Sequence, residues 1–125
     1  MNTKTASVII GLLFIVVGIL GFIPNPIIGE SEGAIFYADT MHNMVHIISG
    51  VLFLIIGLAM PGFARTFFIL FGIVYFLIGI LGLSSLGNAE TTTVFGFLHV
   101  NGPDNYLHIA SGIVIFLASM LRPEA

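Results

Sequence analysis

The chain has 125 residues, 58% hydrophobic and only 7% charged, with a net charge of −3 at pH 7 and no cysteine. Soluble domains carry about 25% charged residues, so the composition excludes an ordinary soluble domain. The small charge, with no basic cluster, implies no nucleic-acid partner, and the missing cysteines exclude disulfides, thiolate metal sites and cysteine nucleophiles.

A short polar start with one cation, Lys4, leads into the charge-free run Ala6 to Ile23. At 1.5 Å per residue such a run spans about 27 Å, close to the thickness of a bilayer's hydrocarbon core. A signal peptide also begins with a cation and an apolar run. This run is longer than that, lacks a small-x-small cleavage site before Pro24, and has an internal counterpart that cannot be a signal. It reads as helix one, 6–23, ended by Pro24-Asn25-Pro26 because proline removes a donor and restricts its predecessor. A loop carrying Glu30, Glu32 and Asp39 follows, and its Ile35-Phe36-Tyr37 segment suits a membrane interface. Asp39 or Thr40 caps helix two, 41–60, which stops at Pro61-Gly62. Helix three is expected over 64–83, with Arg65 in its first turn. A second loop, 84–103, holds Glu90 and Thr91-Thr92-Thr93. Asn101 or Gly102 caps helix four, 103–121, where Pro103 fits the first turn.

The chain repeats itself. His42-Asn43-Met44-Val45-His46-Ile47-Ile48-Ser49-Gly50 returns as Asp104-Asn105-Tyr106-Leu107-His108-Ile109-Ala110-Ser111-Gly112, offset by 62 residues (His46 to His108). Gly11-Gly18-Ile19-Leu20-Gly21 returns as Gly72-Gly79-Ile80-Leu81-Gly82, offset by 61 (Gly11 to Gly72). The unit is therefore a helical hairpin, about 1–62, followed by a second, about 63–125. The expected fold is an all-α integral membrane four-helix bundle of two tandem hairpins in parallel repeat, forming a single domain. Lys4, Arg65 and Arg122 fall at one end, and Glu30, Glu32, Asp39, Glu90 and Asp104 at the other. The positive-inside rule then makes the N and C termini cytoplasmic and turns both long loops outward, with all four histidines in the outer half.

Gly-Ile-Leu-Gly-Phe-Ile-Pro at 18–24 and the two Asn-x-x-His-x-x-x-Gly motifs at 43–50 and 105–112 resemble a family of small, mainly bacterial membrane proteins, domain of unknown function 4383. The resemblance spans almost the whole chain. It implies a four-helix, multi-pass protein of the bacterial inner membrane and implies no activity. Asn43, His46, Gly50, Asn105, His108 and Gly112 are the positions it marks.

On a helical wheel His42, Asn43, His46, Ser49 and Gly50 share one face of helix two, and Asp104, Asn105, His108, Ser111 and Gly112 one face of helix four. The leading reading is structural: a duplicated polar face that packs the bundle, or an interface with a membrane-protein partner or a second copy, near the outer side. The second is a cofactor site for electron transfer or metal handling. His42, His46, Asp104 and His108 suit Zn²⁺ or Cu²⁺. Alternatively His46 and His108 ligate haem b, with Gly50 and Gly112 making room for the ring. A proton or solute pathway is the third reading, opposed by an inner half that offers only glycines, Ser119 and Tyr75. Tyr75, opposite Phe14 in the repeat, calls for an internal hydrogen-bond partner. His99 reads as an interfacial loop residue, able to fold over the bundle mouth. Ser49 and Ser111 lie on helices without an oxyanion-hole turn, and no phosphate-binding loop is present, so enzyme chemistry is not expected.

Overall fold

The computed structural model describes residues 1–31 and 33–123. Glu32, counted above with the acidic end, lies outside the described residues. The chain is mostly helical: α1 Thr3–Leu20, α2 Thr40–Ala59, α3 Ala64–Leu86 and α4 Gly102–Ala118. Three helical spans, Thr3–Leu20, Thr40–Ala59 and Pro61–Leu86, are long and apolar enough to cross a membrane. The exterior is apolar (Leu13 is 59% exposed, Leu58 64% and Val114 63%), while histidine, asparagine and serine side chains are buried. That is the inverse of a water-soluble protein.

Local chemistry sets the ends. Asn2 caps α1, its Oδ1 accepting from Thr5 N at 2.9 Å. The helix starts earlier than expected and ends earlier, at Leu20. There Asn25 folds back, its Nδ2 donating to the carbonyls of Leu20, Ile23 and Ile28 while its Oδ1 accepts from Ile27 N and Ile28 N. One side chain thereby ties the end of α1 to the start of the first connection. Asp39 caps α2 by accepting from His42 N at 2.9 Å. Pro61–Phe63 forms one 3₁₀ turn into α3. α3 outruns its expected end because Ser84 and Ser85 donate to the carbonyls of Ile80 and Leu81, keeping both serines inside the helix. α4 stops short of 121 because residues 119–121 tighten into i→i+3 turns, Ser119 N to Phe116 O and Leu121 N to Ala118 O, both 3.1 Å.

Both long connections, read from sequence as loops, contain strands. β1, Ile28–Gly29, pairs in parallel with β2, Phe36–Tyr37. β3, Thr91–Val94, and β4, Leu98–Asn101, form an antiparallel hairpin with Thr93 opposite His99. The β-branched threonines favour extended backbone, and Phe95 and Gly96, at φ 55° and 79°, make the turn. At the opposite end the termini meet, with Thr3 N donating to Arg122 O at 3.0 Å. Lys4, Arg65 and Arg122 lie at this terminal end; Glu30, Asp39, Glu90 and Asp104 lie at the strand end.

Within each hairpin the helices touch backbone to backbone. A Cβ added at Gly50 would lie 2.6 Å from Gly11 O, and one at Gly11 would lie 2.7 Å from Gly50 O. In the second hairpin a Cβ at Gly72 would lie 2.8 Å from Gly112 O, and one at Gly112 would lie 2.7 Å from Gly72 O. Between hairpins the contacts pass through rings: Phe53 meets Phe71 at 4.8 Å, and Phe14 meets Tyr75 edge-on at 5.3 Å. Replacing Gly50 by alanine is expected to lower stability by about 1–3 kcal/mol, because neither backbone can yield. Gly62→Ala, with nothing within 4 Å of the added methyl, is expected to be neutral. Thermal melts of the two variants in detergent make the comparison.

Candidate functional site

The two Asn-x-x-His segments open α2 and α4 at the strand end, and capping holds them there. Asn101 Oδ1 accepts from Asp104 N and Asp104 Oδ2 accepts from Asn101 N, both at 2.9 Å, forming a reciprocal capping box. Asn101 Nδ2 also donates to Ile35 O at 3.0 Å, tying α4 to the first connection.

Asn and His three residues apart face about 60° away from each other around a helix, and the structure uses the difference. Asn43 packs on Gly21, which caps the end of α1, and Asn105 packs on Gly82 of α3. The histidines instead face across the gap between hairpins. His42, His46 and His108 are 1%, 6% and 4% exposed. Their ring centroids stand 4.5 Å (His42–His46), 5.5 Å (His42–His108) and 6.4 Å (His46–His108) apart. One nitrogen from each lies within 4.8 Å of the other two.

The state of these nitrogens follows from their neighbours. His42 Nδ1 lies 3.2 Å from the carbonyl of His99. A carbonyl only accepts, so Nδ1 carries the hydrogen and Nε2 presents a lone pair. That Nε2 is enclosed and has no hydrogen-bond partner among the described residues; the same holds for Nδ1 of His46 and of His108. Asn43 Oδ1 and both amide atoms of Asn105 are similarly enclosed and unpartnered.

Of the four candidate ligands, three converge. Asp104 stands apart, its carboxylate engaged by Asn101 N. His99 itself points outward, 47% exposed, with Nδ1 3.1 Å from Asp39 Oδ2; its backbone, not its imidazole, reaches the cluster. Gly50 presses against α1 and Gly112 against α3. Ser49 is buried at the start of the apolar core, and Ser111 lines a cavity of about 390 Å³ together with Tyr75 and the rings of His46 and His108. Outside the helices, Tyr37 of β2 is raised from its ordinary phenol range, first by burial and then by Asp39 and Glu30.

Phe14 and Tyr75 floor the cluster, their rings 5.8 Å from His46 and 5.2 Å from His108. Below them the core is closed by apolar side chains, with Phe53, Phe68 and Ile115 at its centre. The β4 carbonyl that orients His42 was missed from sequence. Its signal was the Thr91–Val94 run, which reads as a strand once its β-branching is given weight.

A family comparison matches Domain of unknown function (DUF4383) over residues 4–121. The chain belongs to this family. No curated protein and no solved structure matches it. Membership in DUF4383 carries no activity, so function rests on the site itself.

The capping box yields a stability test. Asn101→Ala is expected to cost about 1 kcal/mol. Asn101→Ser, which keeps a capping oxygen without adding charge and loses the bond to Ile35 O, should lie between wild type and alanine in thermal unfolding.

Proposed function

We propose that this is an integral membrane protein whose four helices span the bilayer with both termini cytoplasmic, and whose three convergent histidines bind a divalent late first-row metal ion, Zn²⁺ or Cu²⁺, near the outer face. One observation carries the reading. Three buried imidazoles, each with an enclosed nitrogen that has no hydrogen-bond partner among the described residues, bring one nitrogen apiece within 4.8 Å of the others. An enclosed polar atom left unpaired costs about 1–3 kcal/mol, and a metal ion would satisfy all three at once.

The donor set supports it. Zinc sites with three protein ligands keep a fourth position open. With bonds of 2.0–2.1 Å, tetrahedral ligand nitrogens stand about 3.3 Å apart, so loading draws the rings inward from their present separation. The Nδ1 bond from His42 to a backbone carbonyl is the outer-shell contact that fixes the tautomer of ligating histidines. Haem fits less well. His42 stands against both candidate axial rings, and Gly50 and Gly112 are occupied by helix contacts. A proton path fits less well still, because the core toward the terminal end is apolar.

The packing role falls to the asparagines, set against glycines inside each hairpin. The two hairpins, about 1–62 and 63–125, are proposed as copies of one ancestral unit. Every helical glycine that recurs between them touches the neighbouring helix of its own hairpin.

Untagged protein purified in detergent is expected to hold about one zinc or copper per chain. His46→Gln and His108→Gln should each weaken binding by more than about 100-fold, since losing even an outer-shell partner costs 10–100-fold. Added Zn²⁺ should raise the melting temperature of apoprotein but not of the double variant, and binding should fall on acidification because the ligands must be unprotonated. Folded wild type that takes up neither ion at micromolar concentration would remove the metal reading.

Orientation has its own test, simplified by the absence of cysteine. Thr93→Cys, on the strand hairpin, should react with an impermeant maleimide in intact cells. Thr66→Cys, beside Arg65, should react only after lysis; the reverse pattern inverts the topology.

A further inference from the structure

The two sides of the gap between hairpins differ, and the sequence says why. Phe53 of α2 and Phe71 of α3 stack edge to face across one side, 4.8 Å between centroids. Their counterparts at the repeat offsets are Ile115 (53 + 62) and Ile10 (71 − 61), on α4 and α1. Where the first pair fills its side with rings, the second leaves a cavity of about 390 Å³, and both isoleucines line it. About 300–1,000 Å³ is the range of small-molecule sites. The lips are Leu13 of α1 and Val114 of α4, 59% and 63% exposed, so the opening lies between two helices and faces sideways.

The lining is apolar except for His46, His108, Tyr75 and Ser111. Tyr75 is 5% exposed and its hydroxyl has no hydrogen-bond partner among the described residues. Its counterpart in the repeat is Phe14 (75 − 61), so this hydroxyl is a departure from the repeat on the face that the cavity exposes. Expected from sequence to have an internal partner, it has none and is left to donate.

We propose that this cavity binds a membrane-dissolved isoprenoid quinone, entering sideways between α1 and α4, with a ring carbonyl accepting from Tyr75. Apolar walls suit the ring and the start of the tail, and the lateral opening lets the remaining tail stay in lipid. A hydrocarbon chain alone would fill the space and leave the tyrosine unsatisfied, at the cost of a buried donor. The inference rests on the membrane-spanning reading and not on metal binding.

The test uses full-length protein in detergent and decylubiquinone as probe, with decane as the chain that lacks an acceptor. Wild type should bind the quinone saturably and at least tenfold more tightly than decane. Tyr75→Phe should weaken the quinone about fivefold, one neutral hydrogen bond, and leave decane unchanged. Ile115→Phe and, independently, Ile10→Phe restore the ring found at the counterpart position and should weaken both ligands more than tenfold. The two cavity-filling variants should keep the metal affinity of wild type, which separates this site from the histidine cluster; failure of membrane insertion would register in the cysteine labelling instead. Equal affinity for decane and quinone, or no effect of Tyr75→Phe, would make the cavity an acyl-chain slot and overturn the assignment. So would quinone binding unchanged in whichever cavity-filling variant folds.

Discussion

The structure depends on four missing side chains. At Gly11 and Gly50, and again at Gly72 and Gly112, the carbonyl of one helix occupies the place where the other's Cβ would be. Helices this close gain dispersion contact and weak Cα–H···O interactions, and they use up the small-residue face that packs them. Apart from Ala6 and Ala64 at the terminal end, what each hairpin sets in the shared core is large. The gap between hairpins must then be bridged by long side chains, and Phe14, Phe53, Phe71 and Tyr75 do so. Whatever stands in that gap without reaching across it leaves either a polar cluster or a void.

The histidines stand in the gap near its strand end, and their burial has an external cause. His42 sits in the first turn of α2, where an imidazole would ordinarily meet the interface. The β3–β4 hairpin closes over it, with Val100 fully buried and the His99 carbonyl taking the Nδ1 hydrogen. A residue that sequence places at the rim thereby becomes the third member of an enclosed cluster. The asparagines one helical step away meet a different fate. Set on Gly21 and Gly82, they sit where their own hairpins are tightest. Packing thus uses one half of the motif and leaves the other half available for chemistry.

The helices were legible because their signals are local and strong: apolar runs of bilayer length, prolines at the breaks, and Asp39 and Asn101 at the caps. The errors fell where side chains act on distant backbone. Asn25 ends α1 by reaching back five residues, and Ser84 and Ser85 prolong α3 by bonding backward into it. The strands are less legible because apolar periodicity dominates this sequence, and a threonine run between Glu90 and Gly96 reads as loop as readily as strand. The polar face was visible on a wheel, but a wheel assigns residues to one broad side. It did not separate Asn43, turned to α1, from His46, turned to the other hairpin, nor did it set Asp104 aside as a cap.

Repetition and departure from it carry different information. Where the halves agree, at the glycines, asparagines and second histidines, the shared residues describe what two hairpins need in order to pair and face one another. Where they differ, packing alone gives no reason for the difference to be one-sided. Phe53 and Phe71 against Ile115 and Ile10 close one lateral opening and leave the other. Tyr75 against Phe14 puts a hydroxyl on the open side, and His42 against Asp104 gives one helix an extra imidazole and the other a cap. Filling both sides with phenylalanine would bury more apolar surface and stabilise the bundle. That the chain carries the smaller pair on the side where the unpartnered hydroxyl faces makes the void and the donor parts of one site.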